Sequence, residues 1–354
     1  MTPTTAIDKT DLSTAWARVK EENPKLRIRD AAKLLGVTEA QLLATRTGQN
    51  VTKLRPEFVE ILQEFHRLGR IMALTRNEEI VHERKGEYKN VESIKGHGPM
   101  GLAVNDDIDL RIFFSPWRFA FASIDEGARG TMRSFQFFDA AGDAIHKVYL
   151  TDASDVSEYE KIVVQFRSDD QTATLEVAER AAKPVERPDS EIDVEGFRKA
   201  WAELKDTHDF YPMTRKFKVE REQALRLADP EMVKPMPADS FKFIFRSASE
   251  RKLPIMVFVG NHGMIQIHTG PVENVVEARG WFNVMDEPFN LHIDQEKIAR
   301  AYVVKKPTDD GIVTSLELFN NEGENVALIF GKRKPGIPES EGWRALVAEL
   351  AASS

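Results

Sequence analysis

From Ser134 the chain reads SFQFFDAAGDAIHKVY (134–149), apolar and polar side chains alternating on both sides of a glycine-containing break. A period of two predicts two strands joined by a tight turn at DAAGD, where glycine supplies a positive φ. The same pattern returns without a gap at SLELFNNEGENVALIF (315–330), with Ser first, Phe fifth and Gly ninth, 181 residues further on. DLRI (109–112) and NLHI (290–293) share that offset. NEEIVHERKGEYKNV (77–91) and NHGMIQIHTGPVENV (261–275) are 184 apart, and the helix-patterned VTEAQLLA (37–44) and VEREQALRLA (219–228) about 182. In GMIQIHTG (263–270) the alternation puts Met264, Gln266 and His268 on one strand face and Ile265 and Ile267 on the other.

A repeat of half the chain predicts two similar domains rather than a solenoid. Each copy runs from helices to alternating strands, so the fold class expected is α+β, each domain an antiparallel β-sheet with helices grouped at its N-terminal side. The boundary falls in ERAAKPVERPDSEID (179–193), with two prolines and dense charge. The expected division is 1–180 for the first repeat, 181–193 for the linker and 194–354 for the second repeat.

The second repeat opens on a helical period. Phe197, Trp201, Leu204 and Tyr211 recur at helix spacing, and His208 fills the gap in that stripe. Pro212 then opposes continuation of the helix. The pattern therefore predicts His208 on the buried-facing side of a helix, in its last turn. A histidine there serves either as a partner of the helix dipole or as a ligand. The matching segment of the first copy, NPKLRIRDAAKLL (23–35), has no histidine, as expected for a site built on one half only. Arg215, Lys216, Lys218 and Arg221 follow, and VVKKPTDDG (303–311) and FGKRKPG (330–336) add two more basic segments. Each alone reads as a solvated charge run.

Composition narrows the choices. The 354 residues are 42% hydrophobic and 30% charged, enough chain for a full core. The formal net charge of −8 means that an anionic ligand has to be held by a local basic cluster. With no cysteine, disulfides, thiolate metal sites, Fe–S clusters and cysteine nucleophiles are excluded. MTPTTAIDKTDLS (1–13) has no apolar signal core, and the most apolar run, LPIMVFVG (253–260), is too short to span a bilayer. A cytoplasmic location is the expectation. Nucleophile-elbow, zincin and P-loop motifs are absent.

As a set, RIRDAAKLLGV (27–37), TRNEEIVHERKGEYKNV (75–91), DLRIFF (109–114), PIMVFVGNHGMIQIHTGPV (254–272), NLHI (290–293), KKPTDDGIVTSLELF (305–319) and FGKRKPG (330–336) resemble the cytoplasmic haemin-transport and haemin-degrading factors of bacterial haem-uptake systems. The resemblance implies one haem (iron protoporphyrin IX) held by the C-terminal half, with His208, in a D-x-H-x-F stretch, as axial ligand to the iron. It implies Arg111, in DLRIF, over the opposite haem face as the candidate catalytic residue, with Phe113 near it. It implies Arg221, Lys306 and Arg333 near the haem propionates. The chain departs from some members at positions 328 and 330, Leu and Phe here in place of Gln and Tyr. Haem requires an imidazole, an apolar slot and rim cations, and these residue types supply all three.

Two activities fit that set. One is a haem carrier that takes up imported haem and delivers it for iron release to a partner such as a haem oxygenase, with an inner-membrane haem importer as its source. The other is a monooxygenase that itself opens the porphyrin ring. A third reading comes from RIRDAAKLLGVTEAQLLATRTG (27–48), which has the outline of a DNA-reading helix-turn-helix, with Thr38 and Gln41 as a capping box. Its second helix offers Arg46 as its one cation, so a packing helix pair is the expectation and nucleic acid is not an expected partner. Glu78, Glu79, His82 and Glu83 in NEEIVHER have metal-ligand types but read as an exposed strand or loop, with His82 a weak candidate for a secondary haem contact.

Overall fold

The computed structural model describes residues 9–94, 99–127, 130–183, 185–334 and 336–352; residues 1–8, which carry most of the segment read for a leader, lie outside them. The chain divides into two compact units. One comprises residues 1–75, 85–181 and 262–264; the other comprises 76–84, 182–261 and 265–354.

The first unit begins with α1 (Lys9–Glu22), α2 (Ile28–Leu35) and α3 (Glu39–Ala44). Gly36 ends α2 in the left-handed region at φ 68°, and Thr38 caps α3 through a reciprocal capping box with Gln41. Glu39, Ala40, Leu42, Leu43 and Ala44 of α3 are all buried, so this helix presents no face that a DNA groove could accept. The pair of helices is a packing element. Next along the chain come β1 (Val51–Leu54), α4 (Phe58–Glu64), β2 (Gly69–Arg76), β3 (Ile80–Glu87), whose residues 80–84 belong to the second unit, β4 (Val91–Ile94), β5 (Met100–Val104), β6 (Asp109–Phe113), β7 (Trp117–Gly127), β8 (Gly130–Asp139), β9 (Ala144–Ser154) and α5 (Val156–Phe166). β1, β7, β8, β9 and β2 pair antiparallel in that order, and β4, β5 and β6 form an antiparallel meander. β8 and β9 are the hairpin that the alternation predicts, with Gly142 at φ 81° in its turn.

The second unit is built around β10 (Val233–Met236), β11 (Ile255–Asn261), β12 (Met264–Gly270), β13 (Val275–Ala278), β14 (Trp281–Met285), β15 (Phe289–Asp294), β16 (Arg300–Thr308), β17 (Gly311–Phe319) and β18 (Asn325–Gly331). Its helices are α6 (Val194–Ala202), α7 (Phe210–Phe217), α8 (Arg221–Leu227), α9 (Ser240–Glu250) and α10 (Glu341–Ala352). β10, β16, β17, β18 and β11 pair antiparallel in that order. Gly323, at φ 77°, closes the β17–β18 hairpin as Gly142 closes its counterpart. Antiparallel sheets with segregated helices make the fold α+β, and the two hairpins carry the duplication into three dimensions.

Alternation assigns each side chain of this sheet to a face. Val303, Leu316, Leu318, Ile329, Ile255 and Val257 pack into one core with Phe241 and Phe245 of α9 and Trp343 and Leu346 of α10. On the other face Tyr302, Val304 and Phe319 pack with Phe197 and Trp201 of α6, Phe210 and Met213 of α7 and Leu225 of α8. The helices cover that second face only in part. Beyond them, Met256 and Phe258 on β11 and Leu328 and Phe330 on β18 stay half-exposed. The helical layer thus leaves an apolar strip on this sheet face only partly covered.

Candidate functional site

α6 ends at Ala202, earlier than the helical stripe predicts. Leu204 is still buried, but Asp206 then caps a new 3-10 turn, Thr207–Asp209, through a capping box with Asp209. α7 follows directly, with Pro212 tolerated in its first turn, where backbone N–H groups need no intrahelical acceptor. The expectation of a buried-facing His208 in a last helical turn is therefore corrected: its side chain is 92% exposed and lies just before α7. Tyr211, also placed on the buried stripe, is 69% exposed, and Phe210 takes the inward position instead. The sequence signal for this break is D-T-H-D itself, an N-cap pattern that the apolar spacing overrides on paper.

This geometry suits a ligand better than the buried one. Asp206 Oδ1 accepts from the backbone N–H of His208 at 2.8 Å and lies 2.6 Å from its Nδ1. The backbone N–H of His208 is the main reason the Asp206 carboxyl sits below the usual range; burial opposes it, and the imidazole contact adds to the lowering. With Nδ1–H donated to a carboxylate, the tautomer is fixed with the Nε2 lone pair outward. Among the described residues no hydrogen bond engages Nε2.

Phe210, two residues on, connects this turn to the sheet. Its ring has the Arg221 guanidinium carbon at 5.0 Å and Lys306 Nζ at 4.5 Å. Both cations meet Glu317 on β17, which is fully buried. Arg221 donates Nε to Oε2 at 2.9 Å and Nη2 to Oε1 at 3.0 Å, and Lys306 Nζ donates to Oε1 at 2.7 Å. Burial alone would raise the Glu317 carboxyl; the adjacent charges of Arg221 and Lys306 outweigh it and hold the group at about 2. Leu328 lies opposite Glu317 in the β17–β18 register, and Phe330 lies opposite Ser315. Phe330 also meets Phe258, ring centroids 5.2 Å apart. The apolar strip, the cation cluster and the His208 turn are thus neighbours on one face of one unit.

The rim residues differ in what they have to offer. Arg221 is half-buried, with Nη1 carrying no partner among the described residues. Lys306 is 3% exposed and committed to Glu317, so the expectation that it greets a propionate is not how the side chain stands. Arg333 lies 3.8 Å from Asp310 Oδ2 and has a buried Nε without a partner among the described residues. Pro335 of the basic segment 330–336 lies outside the described residues. Arg215, Lys216 and Lys218 are exposed, as a solvated run predicts.

Arg111 and Phe113 belong to the first unit. Arg111 on β6 sits opposite Leu102, is about one-third exposed and pairs with Asp109. Phe113 is half-buried and its backbone N–H donates to the Gly263 carbonyl at 3.0 Å.

The NEEIVHER segment is not the exposed stretch expected. Asn77 Oδ1 accepts from the backbone N–H groups of Glu79 and Ile80, turning the chain into β3. His82 is fully buried against Gln266, whose Nε2 is 2.9 Å from its Nδ1, so it is unavailable as a secondary haem contact without unfolding the strand. Among the described residues no group of three or more His, Cys, Asp or Glu is arranged for a metal ion. No helix among them is long and apolar enough to cross a membrane.

Comparison with known proteins places the chain in a family. A family model, the haemin-degrading HemS.ChuX domain, matches twice, over residues 36–166 and 218–350. The chain belongs to this family. It is 34% identical over 344 residues to the hemin transport protein HemS of Yersinia enterocolitica, covering 95% of this chain and 96% of that protein. Crystal structures of holo-PhuS, a heme-binding protein from Pseudomonas aeruginosa, and of the Escherichia coli O157:H7 heme degrading enzyme ChuS are similar along nearly their whole length. The first is 47% identical with a TM-score of 0.93, over 96% of this chain and 98% of PhuS. The second is 35% identical with a TM-score of 0.88, over 97% of this chain and 99% of ChuS.

Proposed function

We propose that this protein is a cytoplasmic haem carrier: it takes up imported haem through its C-terminal repeat and delivers it for iron release. The observation that carries the reading is His208, exposed, oriented by Asp206 and free at Nε2, beside an apolar strip and a cationic rim. Haem presents an iron that takes a neutral imidazole, an apolar plate, and two carboxylates at one edge. His208 would hold the iron, Met256, Phe258, Leu328 and Phe330 would face the plate, and Arg221 and Arg333 would meet the carboxylates. The absence of cysteine leaves no thiolate to compete for iron. A cargo held at one exposed turn on a protein surface can be handed on, which supports carriage over retention. The receiver fitting this role is a haem oxygenase, and the donor an inner-membrane importer.

Titration of the purified protein with haemin, followed at the Soret band, tests the reading. A stoichiometric complex is expected, with both its spectrum and its affinity changed in His208→Ala. Identical spectra and affinity in that variant would remove His208 from the site. The degradative reading is separated by reducing the complex and admitting oxygen with catalase present: a carrier yields no biliverdin-type product.

A further inference from the structure

Glu317 is a fully buried carboxylate on the face that carries the candidate site, and the haem reading gives it no task. Its surroundings do. Two cations, Arg221 and Lys306, converge on it, Ser315 Oγ donates to Oε1 at 3.2 Å, and the two cations flank Phe210, two residues from His208. Two basic groups thus face one carboxylate; burial lowers the Lys306 ammonium from its ordinary value, and the Glu317 charge is the main influence opposing that. Arg221 spends Nε and Nη2 on Glu317 and keeps Nη1.

The first repeat serves as an internal control. Ser134 and Gln136 occupy the places of Ser315 and Glu317, and Gln136 Nε2 donates to Ser134 Oγ at 3.0 Å, so the local geometry is kept and the charge is gone. Glu39 stands where Arg221 stands, and Lys147 where Leu328 stands; these two pair with each other. The copy with no histidine at the place of His208 has reversed the sign at the helix start and placed a lysine at the position of Leu328. The charged cluster is thus confined to the copy with His208.

We infer that Glu317 is the positioning residue for carboxylate recognition in this site: it fixes Arg221 so that Nη1 meets one ligand carboxylate, and it retains Lys306 as its own counter-ion. This rests on the haem reading. Without the Glu317 charge, Arg221 and Lys306 repel each other across Phe210, and the long Arg221 side chain is released to solvent.

The test compares haemin with its dimethyl ester, which keeps the plate and the iron and lacks the carboxylates, in Soret titrations of wild type and Glu317→Gln. Wild type is expected to prefer haemin by about tenfold or more. Glu317→Gln, which installs the first repeat's residue, is expected to keep the wild-type Soret spectrum and lose most of that preference, with Glu317→Asp retaining part of it. If the single variant fails to fold because Lys306 is left buried and unpaired, Glu317→Gln/Lys306→Met removes both charges and is expected to show the same loss. A folded variant that keeps the full preference overturns the inference and leaves His208 ligation standing. A wild type that forms no complex with haemin sinks the haem reading itself.

Discussion

The Asp206–His208 pair is where a single side chain carries the most consequence. Asp206 accepts from Nδ1–H, and a carboxylate in that position orients a ligating imidazole. Asp206→Asn keeps a cap for the 3-10 turn and removes the charge. Haemin affinity is expected to fall by about tenfold, the lower end for such partners because this pair is exposed, while the Soret spectrum stays that of a histidine complex. Ligation needs a neutral imidazole, so protons compete with iron for Nε2. Haem is therefore expected to leave as pH falls, and a Soret-monitored acid titration measures it. Arg221 and Lys306 show a different lesson: both are cations at the expected place, yet only Arg221 has an edge to spare, because Glu317 holds the other.

Among the elements, β3 and β12 store the clearest pH dependence. His82 and Gln266 meet across them, and His268 stacks on Phe289 of β15 with centroids 3.8 Å apart. Burial first, then the charge of Arg84, keeps His268 down at about 3, and burial, His268 and Arg84 keep His82 well below its ordinary value. The sign follows from proton uptake. Below about pH 6.5 the unfolded chain binds protons that the folded strand excludes, so stability is complete above that pH and drains as pH falls toward the folded value. At pH 5 this amounts to about 2 kcal/mol for His268 alone. Thermal or urea unfolding between pH 7 and 4 is expected to show the loss, and His268→Gln to flatten it by about one proton. A variant with an unchanged slope would mean that His268 is charged in the fold.

At the scale of the whole molecule, the repeats and the units are not cut at the same places. Residues 76–84 precede the second repeat by a hundred positions, yet they belong to its unit. Ile80 to Arg84 pair with Ile293 to Phe289 of β15, Ile80 enters the core, and Asn77 Nδ2 donates to the carbonyls of Val326 and Gly260 at 2.9 and 3.2 Å. A fragment of residues 182–354 lacks that strand and bares the edge of β15. It is expected to self-associate or aggregate on gel filtration, an open edge being a template for another chain. A monomeric fragment that unfolds cooperatively would show the borrowed strand to be dispensable.

The sequence by itself determined the local geometry and the duplication. Alternation settles on strands, and glycine in a DAAGD or NNEGE turn settles on positive φ, because both are short-range steric facts; β8–β9 and β17–β18 follow from them. The resemblance put the family within reach for the same reason, since it rests on which residues stand at which spacing. Tertiary structure decided burial and pairing. His208 left the apolar stripe because the Asp206 cap outcompetes one more helical turn, which three apolar residues at helix spacing cannot reveal. His82 went inside because β15 lies alongside β3, a contact between positions two hundred residues apart. Glu317 looked like the polar half of a half-buried strand in SLELF, and only the helices packed on that face turned it into a buried counter-ion. Alternation says which side chains share a face; what covers that face depends on distant segments meeting it, and no local pattern encodes that.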